Sequence, residues 1–326
     1  MVAATEKFDT IGKRLARPHR APPRIAVIIP CYNEAAAIGQ VVRDFRAALP
    51  TADVYVYDNN SSDGTRDAAA RAGAIVRSEP RQGKGNVVRR MFADVEADVY
   101  VMADGDATYD AGAAPEMVAM LLHDQLDMVV GCRSGGEAAF RPGHRFGNRL
   151  FTGFLATLFG RSFTDMLSGY RAFSRRFVKS FPSLSNGFEI ETEIAVHALS
   201  LRMPVGEMAT RYDARPEGSV SKLSTYRDGG RILRMMLRLF RQERPVAFYG
   251  LIALALGILA LALAVPLVQT YAQTGLVPRF PTAILCTGLI ILATLSFACG
   301  LILDTVTHGR QEIRRLAYLA LPAVNG

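Results

Sequence analysis

The stretch Val99-Tyr100-Val101-Met102-Ala103-Asp104-Gly105-Asp106-Ala107-Thr108-Tyr109 decides how this chain is read. Apolar residues that suit a buried strand run straight into two carboxylates one residue apart. Such a strand delivers hard oxygen ligands to one edge of a sheet. Mg²⁺ is usually held by one or two carboxylates together with phosphate oxygens of a substrate. Gly105, between the two, lets a ligand approach the backbone closely. A DxD triplet alone occurs in many turns, so its weight comes from the pattern around it.

That pattern alternates short β-rich runs with helical stretches from Arg24 to about Ala214. Strands are expected at Ile25–Ile29, Val54–Tyr57, Ala74–Val76, Val99–Ala103 and Met128–Val130. Helices are expected at about Ala35–Leu49, from a cap at Ser62 or Asp63 to Gly73, at about Gly85–Val95, and from Pro115 onward. Strands apolar on both faces and alternating with helices indicate a parallel sheet covered on both sides. Ligands of such sheets bind beyond the carboxyl ends of the strands. Pro30–Glu34, Asp58–Gly64 and Asp104–Asp106 all follow strands and should converge on one edge. Asp58, at a strand tip, is placed to contact a base or ribose, although its segment also reads as a polar turn with a helix cap. The loop Arg81-Gln82-Gly83-Lys84-Gly85 brings Lys84 and backbone amides toward phosphate, or is an ordinary surface loop.

The chain has 326 residues, 50% of them hydrophobic and 21% charged, with a formal net charge of +8. Two uncharged runs near its end, Val246–Val268 and Thr282–Leu303, are each long enough as helices to cross a hydrocarbon core of about 30 Å. Arg234, Arg238, Arg241 and Arg244 precede the first; Arg310, Arg314 and Arg315 follow the second; the loop between carries only Arg279. The positive-inside rule then puts the sheet domain and the chain end in the cytoplasm. Arg227, Arg231, Arg234, Arg238 and Arg241 fall on one helical face, opposite Ile232, Leu233, Met236, Leu239 and Phe240. Beside a membrane span this reads as an interfacial helix with arginines toward headgroups; the alternative is a core-packed helix with a solvated charged face. His144–Phe159 is a second such stretch, with Leu150, Phe151, Phe154 and Leu158 opposite Arg145 and Arg149, and core packing is an equal reading of it. Residues 1–23 lack an apolar signal region and read as a disordered basic tail. Cys31, Cys132, Cys286 and Cys299 form no CxxC pair and read as reduced thiols, with no zinc site.

The ordered motifs IPCYNE (through Pro30, Tyr32, Asn33 and Glu34), DNNSSDGT, RQGKGNV, DGD, LSGYRAF (Leu167–Phe173), GFEIETE (Gly187–Glu193) and RPEGSVSK (Arg215–Lys222) resemble the family 2 glycosyltransferases. The later motifs are similar to those of polyprenyl-phosphate glycosyltransferases, the group of dolichyl-phosphate mannose synthase and bacterial undecaprenyl-phosphate glucosyltransferases. The resemblance implies an α/β GT-A fold, a Rossmann-like and mostly parallel sheet, over residues 24–222. An amphipathic juxtamembrane helix (223–245), two transmembrane helices (246–268 and 282–303) and a cytoplasmic tail (304–326) would follow, in the inner membrane. It implies that Pro30, Tyr32, Glu34 and Asp58 line the nucleotide pocket, with Lys84 beside them. Asp104 and Asp106 would hold the diphosphate through Mg²⁺ or Mn²⁺. Arg133, Arg145, Arg215 and Lys222 would meet the acceptor and donor phosphates. Glu191 and Glu193 would shape the acceptor end, or pair with an arginine on a helix face. Thr108 stands where many relatives have a metal-completing glutamine. GSVSK is longer than the usual GxSK, leaving open whether Ser219 or Ser221 aligns.

The reaction implied is inverting transfer of a sugar from a nucleotide sugar, a UDP-hexose or GDP-mannose, to a polyprenyl monophosphate. A phosphate monoester is largely dianionic at neutral pH and already nucleophilic, so Asp165 enters as a base or as an orienting carboxylate. A processive polysaccharide synthase would need a QxxRW motif, and the chain has no tryptophan. A silent scaffold that kept the fold is opposed by the intact DGD. Nucleic-acid binding is discounted because the arginines track the juxtamembrane helix with no aromatic interleaving. Homo-oligomer formation is left open.

Overall fold

The structure, a computed structural model, describes residues 22–134, 153–154, 156–157, 163–183, 187, 189–213 and 225–323. Strands β1 (Ile25–Cys31), β2 (Asp53–Asp58), β3 (Ile75–Ser78), β4 (Val99–Met102), β5 (Met128–Ser134), β6 (Arg171–Ser174) and β7 (Val205–Arg211) form one sheet in the order β3-β2-β1-β4-β6-β5-β7. All pairings are parallel except those of β6, which runs antiparallel between β4 and β5. The expected strands are present, most of them longer than their apolar runs. β6 and β7 are additions.

Helices α1 (Ile38–Ala48), α2 (Thr65–Arg71), α3 (Lys84–Asp94), α4 (Ala114–His123), α5 (Arg175–Ser180) and α6 (Ile190–Ser200) flank the sheet. Alternation along β1 divides the core. Ala26 and Ile28 face Val88, Met91, Phe173, Phe177 and Ile194, whereas Val27 and Ile29 face Ile38, Val42, Phe45, Met117 and Leu121. Both faces of the sheet are therefore dry, as a parallel sheet requires. Helix α2 starts two residues after Asp63, whose Oδ1 accepts from the Thr65 amide at 3.1 Å. Gly73 follows that helix with φ +91°, a left-handed conformation that glycine adopts without steric cost.

Three further helices follow: α7 (Thr225–Glu243), α8 (Pro245–Thr274) and α9 (Phe280–Leu319). Helices α8 and α9 have mean hydropathies of 2.8 and 2.3 and are long and apolar enough to cross a membrane. They pack on each other; a Cβ at Gly300 would lie 3.1 Å from Tyr249 Cβ, so the crossing is tight at that point. Both run past the expected spans, and α9 continues helically beyond Leu303, where a tail was expected, to Leu319. Its end docks on the sheet domain. The Tyr318 hydroxyl donates to Asp127 Oδ2 at 2.6 Å, and the Arg176 guanidinium lies 4.7 Å from the centre of the Tyr318 ring. Met235, Met236, Leu239 and Phe240 of α7 pack on the protein core, while Arg234, Arg238 and Arg241 are exposed. The apolar face of α7 is thus covered by protein in its described half, not left for acyl chains, and the arginines point outward. Of the apolar residues named in the second amphipathic stretch, Phe154 is the one described; its ring lies 6.5 Å from that of Phe240, on the core side.

Candidate active site

The register places the strand tips together. Cys31 pairs with Asp58 across β1 and β2, and Ile28 pairs with Met102 across β1 and β4. Because β6 is antiparallel, the segment before it, Asp165–Tyr170, reaches the same edge. Asp104 lies there between Lys84 and Gly169. Lys84 Nζ is 2.6 Å from Asp104 Oδ1 and 2.5 Å from Glu191 Oε1. Burial alone would lower the lysine's pKa; the two carboxylates outweigh it and hold the ammonium well above its ordinary range. Gly169 is where the fold lets Asp104 in, since a Cβ there would stand 2.8 Å from Asp104 Oδ2.

Asp106 is 4% exposed, and its Oδ1 accepts from the Thr108 hydroxyl at 2.6 Å. The intervening Ala107 has φ +58°, a left-handed conformation uncommon for a residue with a side chain, so the turn between Asp106 and Thr108 is held under local constraint. Thr108 is turned onto Asp106. Tyr109 closes the turn: its hydroxyl accepts from the Gly169 amide at 2.9 Å, and burial, then Asp104, push its pKa up. Tyr109 and Gly169 stood inside quoted motifs, but nothing in the spacing said that they meet.

On the other side of β1 the loops are laced to one another. Asn33 Oδ1 accepts from the Ser62 amide, and Asp63 Oδ2 accepts from the Ala35 amide, at 2.9 and 3.1 Å. Asn59 donates to the carbonyls of Glu79 and Arg81 at 2.8 Å each and accepts from the Gly83 amide at 2.7 Å. These bonds fix the loop that leads into Lys84. Asp58 is 2% exposed; its Oδ2 accepts from the Ser61 amide, while its Oδ1 is buried with no hydrogen-bond partner. A buried acceptor left open is costly unless a ligand fills it. Pro30 is the penultimate residue of β1, Tyr32 stands 38% exposed just beyond the strand, and Glu34 is buried with its amide on Thr65 Oγ1.

Arg133, near the end of β5, grips Asp165 with two hydrogen bonds of 2.7 Å, from Nε and from one terminal guanidinium nitrogen, while its amide donates a third at 3.1 Å. Its guanidinium also lies 5.5 Å from the centre of the Tyr212 ring. Both Asp165 oxygens accept from Arg133. Glu207 of β7 braces this loop from behind, accepting from the Thr164 amide at 2.6 Å and from its hydroxyl at 2.8 Å. Arg145, Arg215, Ser219, Ser221 and Lys222 lie outside the described residues. Among the described residues no three His, Cys, Asp or Glu side chains gather as a metal cluster. Two strand-end carboxylates fit a hard divalent cation that takes its other ligands from phosphate and water.

The comparisons agree with this geometry. Residues 26–181 match the family described as glycosyl transferase family 2. The glycosyltransferase AglJ of Haloferax volcanii is 37% identical over 249 residues, covering 74% of this chain and 80% of that protein. A dolichyl-phosphate hexose transferase of the same organism is 28% identical over 222 residues, 68% of this chain and 95% of that one. Glucosyl-3-phosphoglycerate synthase of Mycobacterium tuberculosis shares the fold, with a TM-score of 0.56 over 70% of this chain and 85% of that one at 22% identity; it has also been solved with Mn²⁺ and UDP-glucose. A mostly parallel sheet with its acidic strand tip and the Lys84 loop on one edge, matched across most of a relative's length, means that this chain belongs to glycosyl transferase family 2 and is a nucleotide-sugar glycosyltransferase.

Proposed function

We propose that the protein transfers a hexose from a nucleotide sugar to the phosphate of a polyprenyl monophosphate held in a bilayer, with inversion at the anomeric carbon. The course of helix α9 carries this reading. Beyond its apolar stretch, Gln311 bonds Glu243, Arg314 lies close enough to bear on His197, and Tyr318 reaches Asp127 at the amino end of β5. His197 itself lies further along α6 than Glu191, away from the site edge. The docked end of the helix is therefore at the amino edge of the sheet, which supports an apolar stretch lying back toward the carboxyl edge, where Asp58, Asp104 and Glu191 stand. A lipid phosphate at the headgroup level of such a span can approach that edge. The related dolichyl-phosphate hexose transferase points the same way.

The residues divide the work by charge. Asp58 Oδ1 offers an acceptor to a ribose or base. Lys84, with the amides of the loop before α3, meets the donor phosphates. A divalent cation at Asp104 and Asp106, Mg²⁺ or Mn²⁺, would neutralise the leaving diphosphate. Arg133, steadied by Asp165, presents a fixed positive charge to a phosphate, and Arg145, Arg215 and Lys222 would add to it by the family resemblance. The acceptor dianion needs no base, which agrees with the engagement of Asp165. Attack opposite the leaving diphosphate turns an α-linked donor into a β-linked lipid phosphosugar. By the positive-inside rule, the arginines that flank the two apolar helices support a cytoplasmic sheet domain.

The test is to incubate the purified protein with undecaprenyl phosphate in liposomes and UDP-glucose, UDP-N-acetylglucosamine or GDP-mannose in turn, with Mn²⁺. A lipid product with one donor is expected. Transfer to soluble acceptors alone would overturn the lipid assignment, and long polymer would instead support a processive synthase. No metal-dependent donor turnover of any kind would indicate a silent scaffold.

A further inference from the structure

Lys84, Asp104 and Glu191 come from three distant parts of the chain, the start of α3, the tip of β4 and the first turn of α6, and meet at one point. Asp104 Oδ1 and Glu191 Oε1 lie 2.6 and 2.5 Å from the same ammonium nitrogen. The Glu191 side chain is only 8% exposed, and its second oxygen, Oε2, is buried with no hydrogen-bond partner. A carboxylate this buried is tolerated only where a cation compensates it, and an oxygen left over calls for another positive or hydrogen-donating group. Arg171, the nearby buried guanidinium, is already spent on the carbonyls of Ser168 and Met166. Thr108 does not turn toward this point, since its hydroxyl is on Asp106.

We propose that the position filled by the Lys84 ammonium is a divalent-cation site lined by Asp104 and Glu191, which the lysine occupies until the donor diphosphate draws it away. The proposal rests on the nucleotide-sugar reading of the site and adds Glu191 to its metal-binding residues. A lysine suits the part because its ammonium is a compact point charge on a flexible four-carbon stem; a guanidinium would hold both carboxylates in a fixed fork. Lys84 also sits at the start of a helix that follows the loop laced by Asn59, so its stem starts where donor phosphates are expected. When the ammonium leaves for the diphosphate, Asp104 and Glu191 would face each other across a few ångströms with no counter-charge. That repulsion favours entry of a second cation. Cation binding is thereby made conditional on the donor, because without a diphosphate the site already holds its own positive charge.

The test measures Mn²⁺ binding by electron paramagnetic resonance on the full chain in detergent, with and without UDP, at matched ionic strength. Without UDP, the wild-type protein should bind Mn²⁺ weakly, and Lys84→Gln should bind it about tenfold more tightly or better, the ratio that corresponds to ~1.4 kcal/mol. The double variant Lys84→Gln with Glu191→Gln should lose that gain. A Lys84→Gln protein that binds Mn²⁺ no better than wild type overturns the proposal. A double variant that keeps the gain removes Glu191 from it, leaving the metal to Asp104 and Asp106. Should Lys84→Gln fail to fold, Glu191→Gln with saturating UDP decides: its Mn²⁺ Kd should rise about tenfold, and an unchanged Kd refutes the site. Failure of the wild-type protein to bind UDP with Mn²⁺ would count against the donor reading instead, while the UDP-free arm still tests the cation site.

Discussion

Gly169→Ala isolates the position of Asp104 from the stability of the fold. Gly169 is outside the left-handed region, so alanine brings no backbone strain. Its Cβ would stand 2.8 Å from Asp104 Oδ2 and 3.2 Å from Cγ and Oδ1. To restore an ordinary contact of 3.4 Å, the carboxylate must retreat by about half an ångström. The retreat disturbs its 2.6 Å contact with Lys84 and the placement of any cation against the donor. Displacement of a reacting geometry by ~1 Å costs about a hundredfold in rate, so a loss between roughly tenfold and a hundredfold in kcat is expected. The Asp104 side chain is 29% exposed and can yield cheaply. Alanine also restricts the unfolded chain, worth about 0.4–1 kcal/mol in favour of folding. Net stability should therefore stay within about 1 kcal/mol of wild type, a Tm shift of no more than roughly 4 °C. Gly105→Ala is the contrast. There the Cβ would meet Cys31 Sγ at 2.5 Å with Ile38 and Ile29 close behind, all buried, and overpacking should cost about 1–3 kcal/mol. Donor turnover by radiolabelled nucleotide sugar and Tm by circular dichroism give both numbers for each variant. A Gly169→Ala protein with wild-type kcat would refute the argument, as would one whose loss of activity merely follows a loss of stability like that of Gly105→Ala.

Asp127 is fully buried, with Arg176, Ser174 and Tyr318 all bonded to it; Asp127→Asn strands the guanidinium and should cost about 3 kcal/mol in denaturant unfolding, against about 1 kcal/mol for Tyr318→Phe. His197 is buried between Phe177 and Phe181, and burial, with Arg314 adding to it, pushes its pKa down to about 3. The unfolded imidazole, near 6.5, takes up a proton that the folded one refuses, so stability is full above that pH. It falls by about 1.4 kcal/mol per pH unit from there toward 3; an identical slope in His197→Gln between pH 6.5 and 5 would refute this. Changing Arg234, Arg238 and Arg241 together to Gln should raise KM for lipid acceptor in anionic liposomes, by about 1 kcal/mol per residue and less in high salt, with donor KM unchanged. Unchanged lipid kinetics at low salt would mean that the exposed arginine face does not meet headgroups.

Five of the six strands that run parallel were legible from their apolar runs, and a run such as Ala26–Ile29, buried on both faces, has few other places to go. β6 was not. Its four residues begin with Arg171, whose side chain is fully buried against the carbonyls of Ser168 and Met166, and an arginine carries no signal of that satisfaction in sequence. β7 carries Gly206 and Glu207, both poor strand formers alone. Gly206 is there because Leu126 and Met120 press on it, and Glu207 because it braces Thr164. Hydropathy located α9 but not its end, since the length after Leu303 comes from docking at Asp127, a contact 191 residues away in sequence.

At the site, residue types were legible and pairings were not. The DGD turn announces carboxylates, yet nothing in it says that Asp104 faces a lysine from residue 84 and a glutamate from residue 191. Periodicity likewise gave α7 two faces without saying what covers the apolar one. An amphipathic helix beside a membrane span has two apolar media available, acyl chains and the protein's own core. The choice turns on geometry: Leu239 is 9% exposed against the sheet domain, and Phe240 meets Phe154 and Phe248. With the core on that side, the arginines are forced outward by the 3.6-residue turn alone. The same helix that ties the sheet domain to the hairpin thus presents its charge to whatever lies outside. Contact with anionic headgroups then requires no insertion of the helix, only that its charged face stand within about a Debye length of the lipid surface.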